Sequence, residues 1–289
     1  MSSFQGIWVP LVTPFHNGAI DFVGLRRLVN HLLEKGVDGV IVCGTTGEPA
    51  AMGKHEQLAV LDAVLEQVPP HRVVMGLAGN NLTELLQFQS EILKRPVAGL
   101  LVPAPYYIRP SQAGLEGFFK TVADASSVPL ILYDIPYRTG ATFEQATLLN
   151  IVAHERIVAI KDCGGNLTNT LALIASGHVD VLCGEDNQIF SALCLGAKGA
   201  IAASAHVHPE RFVTLFQQLR DHQLAQGRAT FFELLPLIQS LFIEPNPAPV
   251  KTALALQGLI GDELRAPMQR SSEAMVARLK VVLAALNNR

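Results

Sequence analysis

Charge is scarce in this chain. Only 16% of its 289 residues are Asp, Glu, Lys or Arg, the net charge is −3, and the Lys and Arg form no block. That composition excludes nucleic acid as an expected partner, because phosphate binding needs a concentrated basic surface. It also predicts that some surface is covered in a homo-oligomer. No apolar run approaches the roughly 20 residues of a membrane helix, so no membrane partner is expected. The N-terminus, Met1-Ser2-Ser3-Phe4-Gln5-Gly6, lacks the basic region and apolar run of a signal peptide, which predicts a soluble, cytoplasmic protein. Cysteine is limited to Cys43, Cys163, Cys183 and Cys194, with no CxxC pair. A disulfide framework is therefore not expected, and these residues read as small fillers of tight buried space. The histidines are scattered, and His206-x-His208 alone is a weak metal signal. Neither a metal nor an organic cofactor is expected.

What the chain does have is alternation. Short β-branched or apolar runs predict strands at 7–12, 39–43, 73–77, 99–102, 130–133, 158–161, 179–183 and 200–202. Amphipathic stretches between them predict helices at 22–34, 54–67, 83–93, 111–125, 143–153, 167–175 and 187–195. In the first helix Leu25, Leu28, Val29 and Leu32 share one face, Asp21 is a natural N-cap and Gly36 a natural stop. Eight βα units without a Gly-rich dinucleotide fingerprint after the first strand favour an α/β fold of the (β/α)8 TIM-barrel kind over an open doubly wound sheet. From Pro209 onward only helices are predicted, at 209–226, 228–243, 250–257 and 271–286, interrupted by Glu244-Pro245-Asn246-Pro247-Ala248-Pro249. The organisation expected is a barrel over residues 1–225 carrying the active site, and a C-terminal helical extension over 226–289 packed on it.

In such a barrel the active site forms at the C-terminal strand ends. Lys161 closes the apolar run Val158-Ala159-Ile160 and precedes the turn Asp162-Cys163-Gly164-Gly165. As a solvated strand-end lysine it would mean little. Held among apolar neighbours, however, a lysine gives up its charge more readily, and the neutral amine attacks carbonyls to form a Schiff base. Gly44-Thr45-Thr46-Gly47-Glu48 follows the second strand and offers backbone N–H groups and hydroxyls to an anion, although the pentapeptide alone is an ordinary polar turn. Tyr133 ends the fifth strand and Arg138 follows it. A phenol there can shuttle protons, or simply be an interior tyrosine, and a guanidinium can clamp a carboxylate. An amine, hydroxyls, a phenol and a guanidinium at equivalent strand ends suit covalent carbonyl chemistry on an acidic substrate. Tyr106 reads as an interface aromatic.

These stretches, with Pro105-Tyr106-Tyr107 and Glu244-Pro245-Asn246-Pro247, give a chain that resembles the dihydrodipicolinate synthase/N-acetylneuraminate lyase family from Val12-Thr13-Pro14-Phe15 to Leu264-Arg265-Ala266-Pro267-Met268. The resemblance implies a (β/α)8 barrel with C-terminal helices and a class I, Schiff-base mechanism on pyruvate. It implies that Lys161 binds pyruvate covalently and that Tyr133 donates and accepts protons. Thr45 and Tyr107 would complete a hydroxyl relay, with Tyr107 supplied by the neighbouring subunit of a tight dimer within a tetramer. Thr46 would bind the pyruvate carboxylate, Ile201 and Gly184 would line the pyruvate site, and Arg138 would hold the carboxylate of an aldehyde. Condensation of pyruvate with aspartate 4-semialdehyde to 4-hydroxy-tetrahydrodipicolinate, a step of lysine and diaminopimelate biosynthesis, is the activity implied.

Relative to that pattern, Asp134 stands for Asn, Tyr137 for a small residue and Cys163 for Ala. An added acid and a bulky phenol beside Arg138 predict a narrowed second-substrate pocket. They keep a second reading open: an aldolase or dehydratase for a sugar acid or another 2-oxo acid, of the N-acetylneuraminate lyase or 2-keto-3-deoxygluconate aldolase type. A catalytically retired barrel is a third, opposed by the intact Lys161, Tyr133, Thr45 and Tyr107 set. Asn80, Glu84 and Tyr106 match positions that contact inhibitory lysine in the family, whereas Pro49, Lys54 and Gln57 replace Ser and two His. Weak or absent lysine inhibition is expected.

Overall fold

A computed structural model describes residues 4–287. Eight parallel strands close a barrel in chain order: β1 (Gly6–Pro10), β2 (Gly39–Val42), β3 (Val73–Gly76), β4 (Gly99–Pro103), β5 (Leu130–Asp134), β6 (Ile157–Asp162), β7 (Asp180–Cys183) and β8 (Gly199–Ile201), with β8 paired back to β1. Each strand is buried along most of its length, as near-continuous apolar runs covered on both faces must be. Helices α1 (Phe22–Glu34), α2 (Lys54–Leu65), α3 (Leu82–Ile92), α4 (Gln112–Asp124), the single turn α5 (Pro136–Thr139), α6 (Gln145–Val152), α7 (Leu167–Ser176) and α8 (Ile189–Leu195) make the outer layer. The predicted strands and helices of the barrel all occur, with ends displaced by one or two residues in most cases. In α1 the Asp21 carboxylate accepts from the Gly24 N–H at 2.8 Å, and Leu25, Leu28, Val29 and Leu32 are buried.

Two cores follow from the strand period. Outward-facing side chains pack with the helices, while Trp8, Ile41, Val74, Leu101, Ile131, Tyr133, Ala159, Cys163, Leu182 and Ile201 fill the barrel interior, closed below by Phe4 against Trp8. One irregularity decides the chemistry. Between β5 and β6 the register runs Leu130 with Ile157 and then Ile131 with Ala159, so Val158 is an extra residue. Both Val158 and Ala159 face the interior. That bulge shifts the phase of β6, and without it Lys161 would point outward into the helical layer.

A hairpin absent from the sequence reading, Phe15–His16 with Ala19–Ile20, turns at Asn17 and Gly18, both at positive φ. The C-terminal chain also differs from expectation. The two helices predicted over 209–226 and 228–243 are α9 (Pro209–Arg220) and α10 (Leu224–Leu241), the break lying a few residues earlier than expected, where His222 adopts φ 59°. Helix α10 runs through Pro236. With α11 (Ala248–Leu256) and α12 (Glu273–Asn287) these helices pack on one another and, through α9, on β1. No helix among the described residues is long and apolar enough to cross a membrane.

Candidate active site

Lys161 and Tyr133 are register partners on β6 and β5, and the lysine Nζ stands 4.3 Å from the centre of the phenol ring. Both are buried, at 6% and 4% exposure. The lysine stem needs room that only glycine leaves: a Cβ at position 184 would lie 2.9 Å from Lys161 Cγ and Cε and 2.3 Å from Cys163 Sγ. Gly184, at the end of β7, thus lets the amine reach the interior. Ile201 of β8 is buried in the same cluster.

Tyr133 and Cys163 belong to the same buried cluster. Burial, reinforced by Cys163, raises the pKa of Tyr133 well above that of a free phenol, while Arg138 and Thr45 pull weakly the other way. Tyr133 therefore rests protonated. Arg138, on α5, shares with Thr45 and Tyr133 the lining of a cavity of about 660 Å³ at the C-terminal mouth.

The loop after β2 is held from the far end of the chain. Asn246 Nδ2 donates to Thr46 Oγ1 at 2.9 Å, and Thr13 Oγ1 donates to the Gly47 carbonyl at 2.7 Å. Glu48, in a left-handed conformation and buried, forms an ion pair with the fully buried Lys251 of α11 and accepts from the Arg265 N–H at 3.3 Å. Lys251 also donates to the Glu263 carbonyl at 2.8 Å and, like Arg265, stands over the Phe15 ring. Glu263 in turn accepts from the N–H groups of Asn17 and Gly18. The residues Glu48, Lys251 and Glu263 were not among the sequence candidates.

Three acids crowd the strand ends. Asp162 accepts from the Gly164 N–H at 2.9 Å and from the Thr170 hydroxyl. Asp134 is 5% exposed with Oδ1 unpartnered, and burial together with Asp162 pushes its carboxyl up to about 7. Asp186 accepts from the Ser204 N–H at 2.6 Å, and burial raises it to about 6 against a stabilising field from Lys161. Asp186 also escaped the sequence reading, although paired acids after a strand in Gly184-Glu185-Asp186 are the signal that marks it. His206 is no metal ligand: its Nε2 accepts from the Val12 N–H at 3.1 Å, its Nδ1 faces the Ala203 carbonyl, and burial lowers it to about 4. Among the described residues no three His, Cys, Asp or Glu side chains are placed to share a metal ion.

Not every predicted residue converges. Tyr107 is 89% exposed at φ 72° on the loop after β4, its N–H donating to the Thr139 carbonyl. Its side chain is not brought to Tyr133 within this chain. Tyr106 and Ile108 flank it, also exposed. All four tyrosines of the chain stand at this end of the barrel.

A buried lysine and tyrosine at the C-terminal mouth of a (β/α)8 barrel define a lyase-type barrel enzyme. The family model for the Dihydrodipicolinate synthetase family matches residues 3–286. The chain belongs to that family. It is 37% identical over 283 residues to a protein of Pelobacter propionicus named 4-hydroxy-tetrahydrodipicolinate synthase, covering 97% of this chain and 98% of the relative. It is also similar to the solved structure of 4-hydroxy-tetrahydrodipicolinate synthase from Methylacidiphilum fumariolicum SolV, with TM-score 0.95 and 33% identity over 99% of this chain and 97% of that one. A chloride-inhibited dihydrodipicolinate synthase from Acinetobacter baumannii, complexed with pyruvate, superposes with TM-score 0.94 and 29% identity over 99% of both chains.

Proposed function

We propose that this chain condenses pyruvate with aspartate 4-semialdehyde to 4-hydroxy-tetrahydrodipicolinate, in the cytoplasmic route to diaminopimelate and lysine. The observation that carries this reading is the inward-facing register pair of Lys161 and Tyr133. The Lys161 amine attacks the pyruvate C2 carbonyl, and Tyr133 gives its proton to the departing oxygen as water leaves and the imine forms. Loss of a methyl proton then yields an enamine whose carbon attacks the aldehyde. The amine of the aldehyde substrate displaces Lys161 and closes the ring.

Around that step, Thr45 hydrogen bonds to Tyr133, Thr46 and its loop N–H groups take the pyruvate carboxylate, and Ile201 and Gly184 line the pocket. Arg138 takes the carboxylate of the aldehyde substrate. Residues 1–225 carry these groups, and residues 226–289 hold the Thr46 loop in place through Asn246 and Lys251. The exposed Tyr106, Tyr107 and Ile108 rim supports a homodimer in which Tyr107 enters the neighbouring site, with two dimers forming a tetramer.

The test is borohydride reduction with pyruvate, followed by turnover with aspartate 4-semialdehyde coupled to the downstream reductase. A covalent pyruvate adduct on Lys161 and turnover abolished by Lys161→Ala are expected. An adduct without turnover would redirect the assignment to an aldolase of different aldehyde specificity, and no adduct would overturn it.

A further inference from the structure

Tyr137 and Glu185 join two loops across the strand that carries the lysine. Tyr137 lies on α5, just past β5, and its hydroxyl donates to Glu185 Oε1 at 3.0 Å, 48 positions further along the chain. Glu185 follows Gly184 at the end of β7. In the barrel β6 stands between β5 and β7, so this hydrogen bond passes over the end of β6, where Lys161 sits. Both feet of the bridge adjoin the site. On one side Gly184 packs on the Lys161 stem, where a Cβ would lie 2.9 Å from the lysine Cγ and Cε. On the other, the Tyr137 ring centre stands 5.9 Å from the Arg138 guanidinium carbon, within the range of a cation–π contact. Arg138 in turn lines the cavity at the mouth. Tyr137 is 66% exposed, so burial does not account for the place of its ring; the tie to Glu185 and the contact with Arg138 do. With its O–H directed at Glu185, the phenol presents beside Arg138 an aromatic face whose one donor is already used.

We propose that Tyr137, tied to Glu185, determines which aldehyde is accepted: an unbranched aldehyde acid whose carboxylate reaches Arg138, and not a polyhydroxylated aldehyde. The inference deepens the function proposed above and rests on it. An enamine on Lys161 and a carboxylate on Arg138 fix two points of the second substrate, and the carbons between them pass beneath the bridge. A methylene there meets the ring face without loss. A hydroxyl there would give up water for a group that has no donor to offer, and pockets of this kind discriminate by about tenfold to a hundredfold. The ring also steadies the guanidinium, so Tyr137 acts on the substrate carboxylate through Arg138, as a positioning residue. Specificity then combines an attraction at Arg138 with an obstacle beside it.

The experiment compares Tyr137→Ser, Tyr137→Phe, Glu185→Ala and Glu185→Gln in the full-length protein. Pyruvate consumption gives kcat and KM for aspartate 4-semialdehyde and for D-erythrose, a hydroxylated aldehyde without a carboxylate. Pyruvate KM and borohydride trapping of pyruvate are measured alongside. Tyr137→Ser should lower the preference for aspartate 4-semialdehyde over D-erythrose, as the ratio of kcat/KM, by about tenfold or more. Tyr137→Phe and Glu185→Ala each cut the tie and should raise the KM for aspartate 4-semialdehyde by about two- to tenfold, the range of one hydrogen bond. Combining them should cost little more than either alone. Glu185→Gln keeps an acceptor for the phenol and should retain most of the discrimination that Glu185→Ala loses. Pyruvate KM and trapping should hold throughout, a split between the two substrates that a merely structural role would not produce. An unchanged preference in Tyr137→Ser would overturn the inference, as would a pyruvate KM that rises in parallel with that of the aldehyde. A wild-type protein that traps no pyruvate, or traps it without turning over aspartate 4-semialdehyde, would remove the proposed function and this inference together. Normal wild-type trapping and turnover with indifferent variants would remove this inference alone.

Discussion

Replacing Asp134 by Asn should stabilise the protein by an amount that grows with pH. Asp134 is buried at the end of β5 with Oδ1 unpartnered, beside Asp162, whose two oxygens are both engaged by donors. Asp134 therefore keeps a proton, with burial first and the neighbouring Asp162 second raising its carboxyl from 3.8 to about 7. In the unfolded chain the same group ionises near 3.8. Between these values the native state holds a proton that the unfolded state has released, so stability falls as pH rises and levels off above about 7. At about 1.4 kcal/mol for each pH unit, the full interval is worth about 4 kcal/mol as an upper bound. An amide does not titrate and avoids this loss. Equilibrium urea unfolding of the wild type and Asp134→Asn at about pH 5 and about pH 8.5 should show the advantage of Asn growing by about 2–3 kcal/mol. A difference that stays constant across that range would refute the argument, because it would mean that Asp134 ionises in the native protein as it does in the unfolded one.

Three further outcomes follow from the site. A Gly184→Ala enzyme should lose about a hundredfold in kcat, since its Cβ would collide with the Lys161 stem and the Cys163 sulfur, and pyruvate trapping should slow in parallel; a wild-type rate would show that the lysine does not need that space. Lys251→Met should cost about 3–5 kcal/mol in chemical denaturation by stranding buried Glu48, and adding Glu48→Gln should recover part of the loss. Free lysine should inhibit weakly or not at all, because Lys54, an exposed cation over Phe88, would repel an ammonium group, and the Gln57 amide is already bound to the Pro49 and Met52 carbonyls. Micromolar inhibition in a steady-state assay would count against that reading.

Barrel strands were legible because each is an apolar run buried on both faces, and α1 because its period, cap and stop agree. The β6 bulge was not: Val158 and Ala159 look like any two strand residues, and only pairing with β5 shows that one is extra. The break between α9 and α10 was expected but misplaced, at residue 227 instead of 221–223. Asp221-His222-Gln223 contains neither Gly nor Pro, and the stop comes from a left-handed histidine. At the site, Lys161, Tyr133, Thr45, Thr46 and Arg138 stood out as polar groups at strand ends. Glu48 and Lys251 did not, since a buried ion pair spanning 203 positions leaves no local pattern. Tyr107 is a different case: within one chain it is a solvent-facing side chain, and the part proposed for it requires a second chain.

The latch from Lys251 to Glu48 bears on the order of events during synthesis. The hydroxyl loop emerges from the ribosome within the first fifth of the polypeptide, while the amine that neutralises Glu48 lies in the last fifth. Until α11 has been made and has docked, a carboxylate that the finished fold encloses must remain in water, and the loop it belongs to is tied only from the N-terminal side, through Thr13. A nascent barrel can gather its strands before that moment but lacks this tie between the loop after β2 and α11. A protein shortened before Lys251 would leave Glu48 without its ion-pair partner even if all eight strands were present.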